Sequence, residues 1–208
     1  MRLDFSDLTG LSDTVREFAS AVLAGKRVLL ISDGERGPLF GDMGFEIARR
    51  AVGLLPEPTE SELGRINSLH EPIFGKGRTS RPLRAPHHTI GLIAMCGQVP
   101  ATPTSGEMEL ATHGVLVMHD APEFWGAVTT QVGFQLSEMP VTLVATARRC
   151  ACGQSTRCVC NSEMRARWFS RLGKTVSRLG IDCVIEVPSV SERGLDQCPS
   201  TEQLREAA

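Results

Sequence analysis

Residues Gly114 to Phe124, GVLVMHDAPEF, hold the feature that most narrows the choice of fold. Four apolar residues, Val115-Leu116-Val117-Met118, run without interruption and stop at a polar and acidic pair, His119-Asp120. A short apolar run of this kind predicts a buried strand. In open α/β sheets, ligands sit beyond the C-terminal ends of the strands. An acid at such an end stands where a nucleotide-bound magnesium is held.

The rest of the chain supplies partners for that strand. Arg27 to Ile31, bounded by Gly25-Lys26 and Ser32-Asp33-Gly34, predicts the first core strand; Pro140 to Ala145 and Cys183 to Pro188 predict two more. Helical patterns run from Ser12 or Asp13 to about Leu23, from Phe45 to Leu55, from Glu57 to Leu69 with Thr59 or Ser61 as cap, from Trp125 to Glu138 and from Glu163 to Leu179. Gly97 to Gly106, rich in Pro, Thr and Ser, reads as a loop. Strands alternating with helices imply a three-layer α/β domain with a mostly parallel central sheet. Residues 1–190 are expected to form that core and 191–208 a polar C-terminal tail; 208 residues suffice for one core.

Composition excludes other classes. No run of about 18 apolar residues offers a spanning helix, and the opening MRLDFSDLTG has acids where a signal peptide needs an apolar region. The expectation is a cytoplasmic protein with no membrane partner. Seven cysteines then point to reduced thiols or metal ligands rather than disulfides. The net charge of −2 hides an asymmetry: Arg148 to Arg178 contains eight basic residues and one acid, Glu163, so the remainder is strongly acidic.

A long ordered set of motifs carries a family resemblance. RPLRAPHHTI at Arg81 to Ile90 is followed by Gly106-Glu107, Leu110-Ala111, Gly114-Val115-Leu116 and Pro122-Glu123-Phe124. Asp4 to Leu11 (DFSDLTGL), Leu54 to Leu63, Ile66 to Leu69 and Cys183 to Pro188 extend the match over almost the whole chain. This set resembles the magnesium chelatase-like (ComM/YifB, ChlI-related) branch of the AAA+ ATPases. The resemblance implies a P-loop, AAA+-like topology, with the Asp4–Leu11 segment against the adenine of ATP and the His87-His88 segment in an insertion that projects towards a ring pore. The adjacent histidines, if on a strand, point to opposite sides and do not share a metal.

Departures from the family fall on its chemistry. The phosphate-binding loop needs glycines, so that backbone N–H groups face the phosphates, and a lysine followed by Ser or Thr. Here the loop is Ser32 to Phe45, with Gly34, Arg36, Gly37, Gly41 and Gly44 as a degenerate version, and Pro38 or Gly44 at the lysine position. The family's Asp-Glu pair falls on His119-Asp120, and histidine is a poor substitute for a hard carboxylate around magnesium. The asparagine that senses the terminal phosphate falls on Arg148, and the arginine that would reach a neighbour's nucleotide on Gly180, with Arg178 two residues earlier. A hairpin that follows Phe124 in the family is missing, and the family's C-terminal helical lid has no counterpart, so a domain without the lid is expected. These changes all touch one phosphoryl transfer and argue against an active ATPase and against ordinary Mg-ATP binding.

Two further signals remain. Cys150-x-Cys152 and Cys158-x-Cys160 place four thiols within eleven residues, a set that can close a tetrahedral structural zinc site, with Arg148, Arg149 and Arg157 to offset its charge. The basic helix offers Arg165, Arg167, Arg171 and Lys174 to nucleic acid or an acidic partner. The leading expectation is a degenerate AAA+ module that binds partners, as a subunit or regulator of an assembly containing an active relative. ComM-type relatives are associated with DNA recombination, so the resemblance favours a DNA-processing context. The alternatives are an ATP-binding enzyme with a rewired site using Arg36, Asp120 and Arg148, and a zinc-stabilised nucleic-acid-binding protein.

Overall fold

The computed structural model describes residues 3–33, 42–97, 105–153 and 158–207. In chain order the helices are α1 (Ser12–Leu23), α2 (Met43–Ala48), α3 (Ala51–Leu54), α4 (Glu60–Phe74), α5 (Leu92–Cys96), α6 (Glu107–Leu110), α7 (Gly126–Gln135), α8 (Ser162–Leu179) and α9 (Thr201–Glu206). The strands are β1 (Val28–Ser32), β2 (Leu83–Arg84), β3 (Val115–Met118), β4 (Thr142–Arg148) and β5 (Cys183–Glu186). They form one sheet in the order β2-β3-β4-β1-β5, and every pairing is parallel.

The apolar runs become strands because alternate residues have an apolar layer on each side. Val28, Leu30, Val115, Val117 and Val144 enter one core, with Phe5, Phe18, Ile47, Leu54 and Leu204. Leu29, Leu116, Met118, Leu143 and Ala145 enter the other, with Met95, Met108, Val128, Val132 and Leu179. The first layer is therefore built on α1, α2, α3 and α9, the second on α5, α6, α7 and α8. The second closes tightly at α7 on α8: a Cβ on Gly133 would lie 1.8 Å from the Arg178 carbonyl oxygen, so only glycine permits that approach.

Local detail departs from the sequence reading at three places. The helix expected over Phe45 to Leu55 is two helices, broken at Arg49–Arg50. The buried Arg50 side chain explains the break, because Nη1 donates to Glu46 O (2.7 Å), the carbonyl that the next helical turn would have used. Thr59 and Glu62 form a capping box at the start of α4, which runs past Pro72 to a left-handed Gly75. His87 and His88 lie outside any strand, in a turn, and their rings stand side by side at 4.1 Å, so the opposed-faces argument for them fails.

Residues 191–207, in a segment polar by composition, are folded onto the domain. Thr9 pairs with Gln197 in an isolated bridge, Cys198 N–H donates to Leu8 O (3.1 Å) and Gln197 Nε2 to Ser6 O (3.0 Å). Leu204 is buried on α9, while Arg205 Nη2 donates to Leu55 O (2.8 Å) just past the end of α3.

Candidate functional site

The parallel register brings three C-terminal strand ends together. Ser32 of β1 is level with Arg148 of β4, and Met118 of β3 with Ala145. Ser32-Asp33, His119-Asp120 and Arg148-Arg149 therefore stand together at the C-terminal edge of the sheet, the position of the ligand crevice in open α/β sheets. Of the phosphate-loop residues singled out above, Gly34, Arg36, Gly37 and Gly41 lie outside the described residues; Gly44 is inside α2.

At the start of α2, Asp42 is the N-cap. Its carboxylate accepts the Gly44 N–H (2.8 Å) and the Ser32 hydroxyl proton. A side chain on Gly44 would meet Ser32 Oγ at 2.8 Å, so the crevice wall is closed there. Burial raises the Asp42 carboxyl above its ordinary range, opposed by the Ser32 hydrogen bond. The helix end that attracts anions is thus already served by a carboxylate of the chain itself.

Asp120 sits in left-handed backbone, φ 53° and ψ 48°, which aspartate tolerates better than most residues. The turn is pinned by Thr146, fully buried on β4: Asp120 N–H donates to Thr146 Oγ1 (3.1 Å), and His119 Nδ1 is 2.9 Å from the same oxygen. The His119 ring lies against Phe45 at 4.7 Å. Thr146 escaped the sequence reading; its signal is a hydroxyl inside the otherwise apolar run from Leu143 to Ala147.

Arg148 is held by acids. Its Nε is 3.3 Å from Asp120 Oδ1 and its Nη2 is 2.9 Å from Glu123 Oε1. Glu123 Oε2 in turn pairs with Arg171 Nη1 at 2.9 Å. The Arg148 guanidinium lies over the Trp168 ring at 5.2 Å, and Trp168 Nε1 donates to Arg148 O (3.2 Å). The neighbouring Arg149 pairs with Asp33 (3.2 Å) and Glu186 (2.6 Å). The crevice therefore neutralises its own acids with two guanidinium groups carried on the end of β4.

Four thiols follow Arg149 directly. Cys150, Cys152, Cys158 and Cys160 have their sulfur atoms within 4.8 Å of one another, a group that can hold a metal ion. Sγ separations are 3.2 Å for Cys150 and Cys152, 3.5 Å for Cys150 and Cys158, and 3.7 Å for Cys152 and Cys158. A tetrahedron with Zn–S of about 2.3 Å has edges of about 3.8 Å, so the donor set fits. Arg148 and Arg149, expected to offset the thiolates, are engaged by carboxylates instead; Arg165 approaches Cys158 Sγ at 3.7 Å. Arg157 lies outside the described residues. Arg167 pairs with Glu163 at 2.5 Å on the exposed side of α8, and Lys174 is exposed.

The conspicuous arginines of the Arg81–Arg84 segment hold the fold. Arg81 donates to His113 O (2.7 Å) and pairs with Glu62 (3.0 Å). Arg84 makes two 2.6 Å bonds to Glu107.

A parallel sheet in this order, flanked by helices on both faces, has the α/β architecture of the P-loop, AAA+-like class. Within that class, the family described as magnesium chelatase, subunit ChlI, matches residues 4–138, and the chain belongs to it. It is similar to competence protein ComM of Haemophilus influenzae, 33% identical over 127 residues that make up 59% of this chain and 23% of that protein. It is also similar to the protein YifB of Escherichia coli, 32% identical over 125 residues, 58% of this chain and 23% of that one. The chain thus matches about a quarter of the length of these relatives. Among solved structures, the complex between subunits BchI and BchD of magnesium chelatase aligns with TM-score 0.53 at 12% identity, over 89% of this chain and 62% of that one. NtrX from Brucella abortus in complex with ADP aligns with TM-score 0.51 at 15% identity, over 90% and 39%. Both support the AAA+ fold alone.

Proposed function

We propose that this chain is a magnesium chelatase-like AAA+ module that has given up ordinary Mg-ATP chemistry and works by binding partners, as a subunit or regulator beside an active relative. The pairing of Asp120 with Arg148 carries this reading. A guanidinium lies where a metal would need open carboxylate oxygens, and Asp42 serves the α2 N-terminus where phosphate would need free N–H groups. His119 faces Thr146 and Phe45 rather than a free acid partner. A rewired ATPase using Asp120 and Arg148 would first have to separate these two groups.

The protein partner is supported by the assembly of the structural neighbour, a complex of two magnesium chelatase subunits. A DNA-processing context is supported by the likeness to a protein named for competence. We also propose a structural zinc on Cys150, Cys152, Cys158 and Cys160. Four sulfur ligands leave no open position, so the ion would brace the turn that follows β4 rather than react. Reduced thiols of this kind suit a cytoplasmic setting, and no helix among the described residues is long and apolar enough to cross a membrane.

The test is calorimetric titration of metal-analysed protein with Mg-ATP. No heat at protein concentrations of tens of micromolar is expected. Clear micromolar binding would overturn the reading and turn attention to the Ser32–Phe45 loop.

A further inference from the structure

Four basic residues of α8, Arg167, Arg171, Lys174 and Arg178, fall at spacings of four, three and four, which aligns them along one side of the helix. The residues that anchor α8, Trp168, Thr175 and Leu179, are buried on another side. At 1.5 Å per residue the strip is about 16 Å long. All four basic residues are exposed. Arg167 has Glu163 and Arg171 has Glu123 as partners; among the described residues neither Lys174 nor Arg178 has a carboxylate partner.

A flat aromatic surface adjoins the strip. Trp125 is 70% exposed. On one side of it in the chain stands Glu123, which holds Arg171. On the other stands Gly126, whose Cβ position is 2.6 Å from Arg178 Nη1. An indole left in water at this cost, beside a row of cations, matches the chemistry of a single-stranded nucleic acid: phosphates pair with the cations and an unstacked base lies on the ring. A duplex offers the phosphates but no free base face, and an acidic polypeptide carries its carboxylates without a flat ring attached beside each charge, as a nucleotide has.

We propose that Arg167, Arg171, Lys174 and Arg178, with Trp125, form a binding strip for single-stranded nucleic acid. The strip is distinct from the β1–β3–β4 crevice, and the proposal does not depend on the fate of Mg-ATP there.

The experiment uses the whole chain, a fluorescein-labelled oligodeoxythymidine and the same strand in duplex form. Binding is read by anisotropy and by quenching of tryptophan emission. Trp125 is the exposed one of the two tryptophans and Trp168 is 3% exposed, so quenching reports on Trp125. Four phosphate contacts predict a slope of log K against log salt of about −2.8 for the single strand. The Lys174→Gln/Arg178→Gln double variant should reduce the steepness by about 1.4 and weaken binding about tenfold or more. Trp125→Ala should weaken single-strand binding about fivefold or more and leave duplex binding unchanged. Unaltered thermal melting of the variants by circular dichroism accompanies these results. Wild-type affinity in the double variant would overturn the proposal, as would no binding at about 50 mM salt. Equal displacement by oligoglutamate of matched charge would also overturn it and assign the strip to an acidic protein.

Discussion

Replacing Arg148 by glutamine tests the internal counter-charge directly. The substitution withdraws a guanidinium from between Asp120 and Glu123 and from the face of Trp168. The three charged side chains are 26%, 21% and 29% exposed. Exposed ion pairs contribute about 0.2–1 kcal/mol, whereas breaking a fully buried pair costs about 3–5 kcal/mol. The half-buried setting lies between, and the lost ring contact adds about 0.5–1 kcal/mol. The expected loss is therefore about 2–3 kcal/mol, since Glu123 keeps Arg171. With a urea dependence of about 2–3 kcal/mol/M for a chain of this size, the unfolding midpoint should fall by about 1 M. Asp120→Asn in the Arg148→Gln background removes the stranded charge and should recover part of the loss, giving a coupling of about 1 kcal/mol in the double-mutant cycle. Additivity within about 0.3 kcal/mol would refute the counter-charge argument, because the two groups would then not feel one another.

Two other predictions follow from the same region. Metal analysis of protein purified without chelator should find one zinc per chain, and Cys152→Ser or a strong chelator should lower the melting temperature and expose Trp168, whose indole holds the β4 end at Arg148 O; a metal-free protein with unchanged melting would remove zinc from the account. Asp42→Asn should match or exceed wild-type stability at neutral pH. Burial lifts the Asp42 carboxyl above its ordinary 3.8, so its contribution favours folding below that pH and is lost as pH rises through the raised value. The stability gap between variant and wild type, measured by urea unfolding across pH, should therefore close towards acid, and a gap that widened towards acid would contradict the assigned direction.

The strands were readable because each apolar run is closed by polar residues and has a covered layer on both sides, so periodicity and burial agree at Val28–Ser32 and Val115–Met118. The helix after β1 misled because its end depends on one tertiary contact, the inward Arg50, which a local pattern cannot register. The folded state of residues 191–207 was hidden for a similar reason. Few of their residues are apolar, and what fixes them is backbone pairing with Leu8 and Thr9 and three buried side chains, Cys198, Thr201 and Leu204. The stacked histidines at 87 and 88 show the same limit, since the strand assumed for them is a turn.

The crevice was legible as a set of substitutions but not as a set of relations. Taken singly, His119, Asp120, Arg148 and the loop without lysine read as separate losses. In space they are linked. Asp33, Asp42 and Asp120 gather at the ends of β1 and β3 and the start of α2, and without a loop lysine such a cluster of carboxylates would repel itself. Arg148 and Arg149, adjacent in the chain, answer Asp120 and Asp33 respectively, and Ser32 answers Asp42. Arg148 at the family's asparagine position is thus a replacement charge as well as an altered sensor. Restoring one family residue alone should then fail to restore nucleotide binding, because Asp120→Glu leaves Arg148 beside the new carboxylate, and Arg148→Asn leaves Asp120 without either metal or guanidinium until phosphate-binding charge returns to the loop.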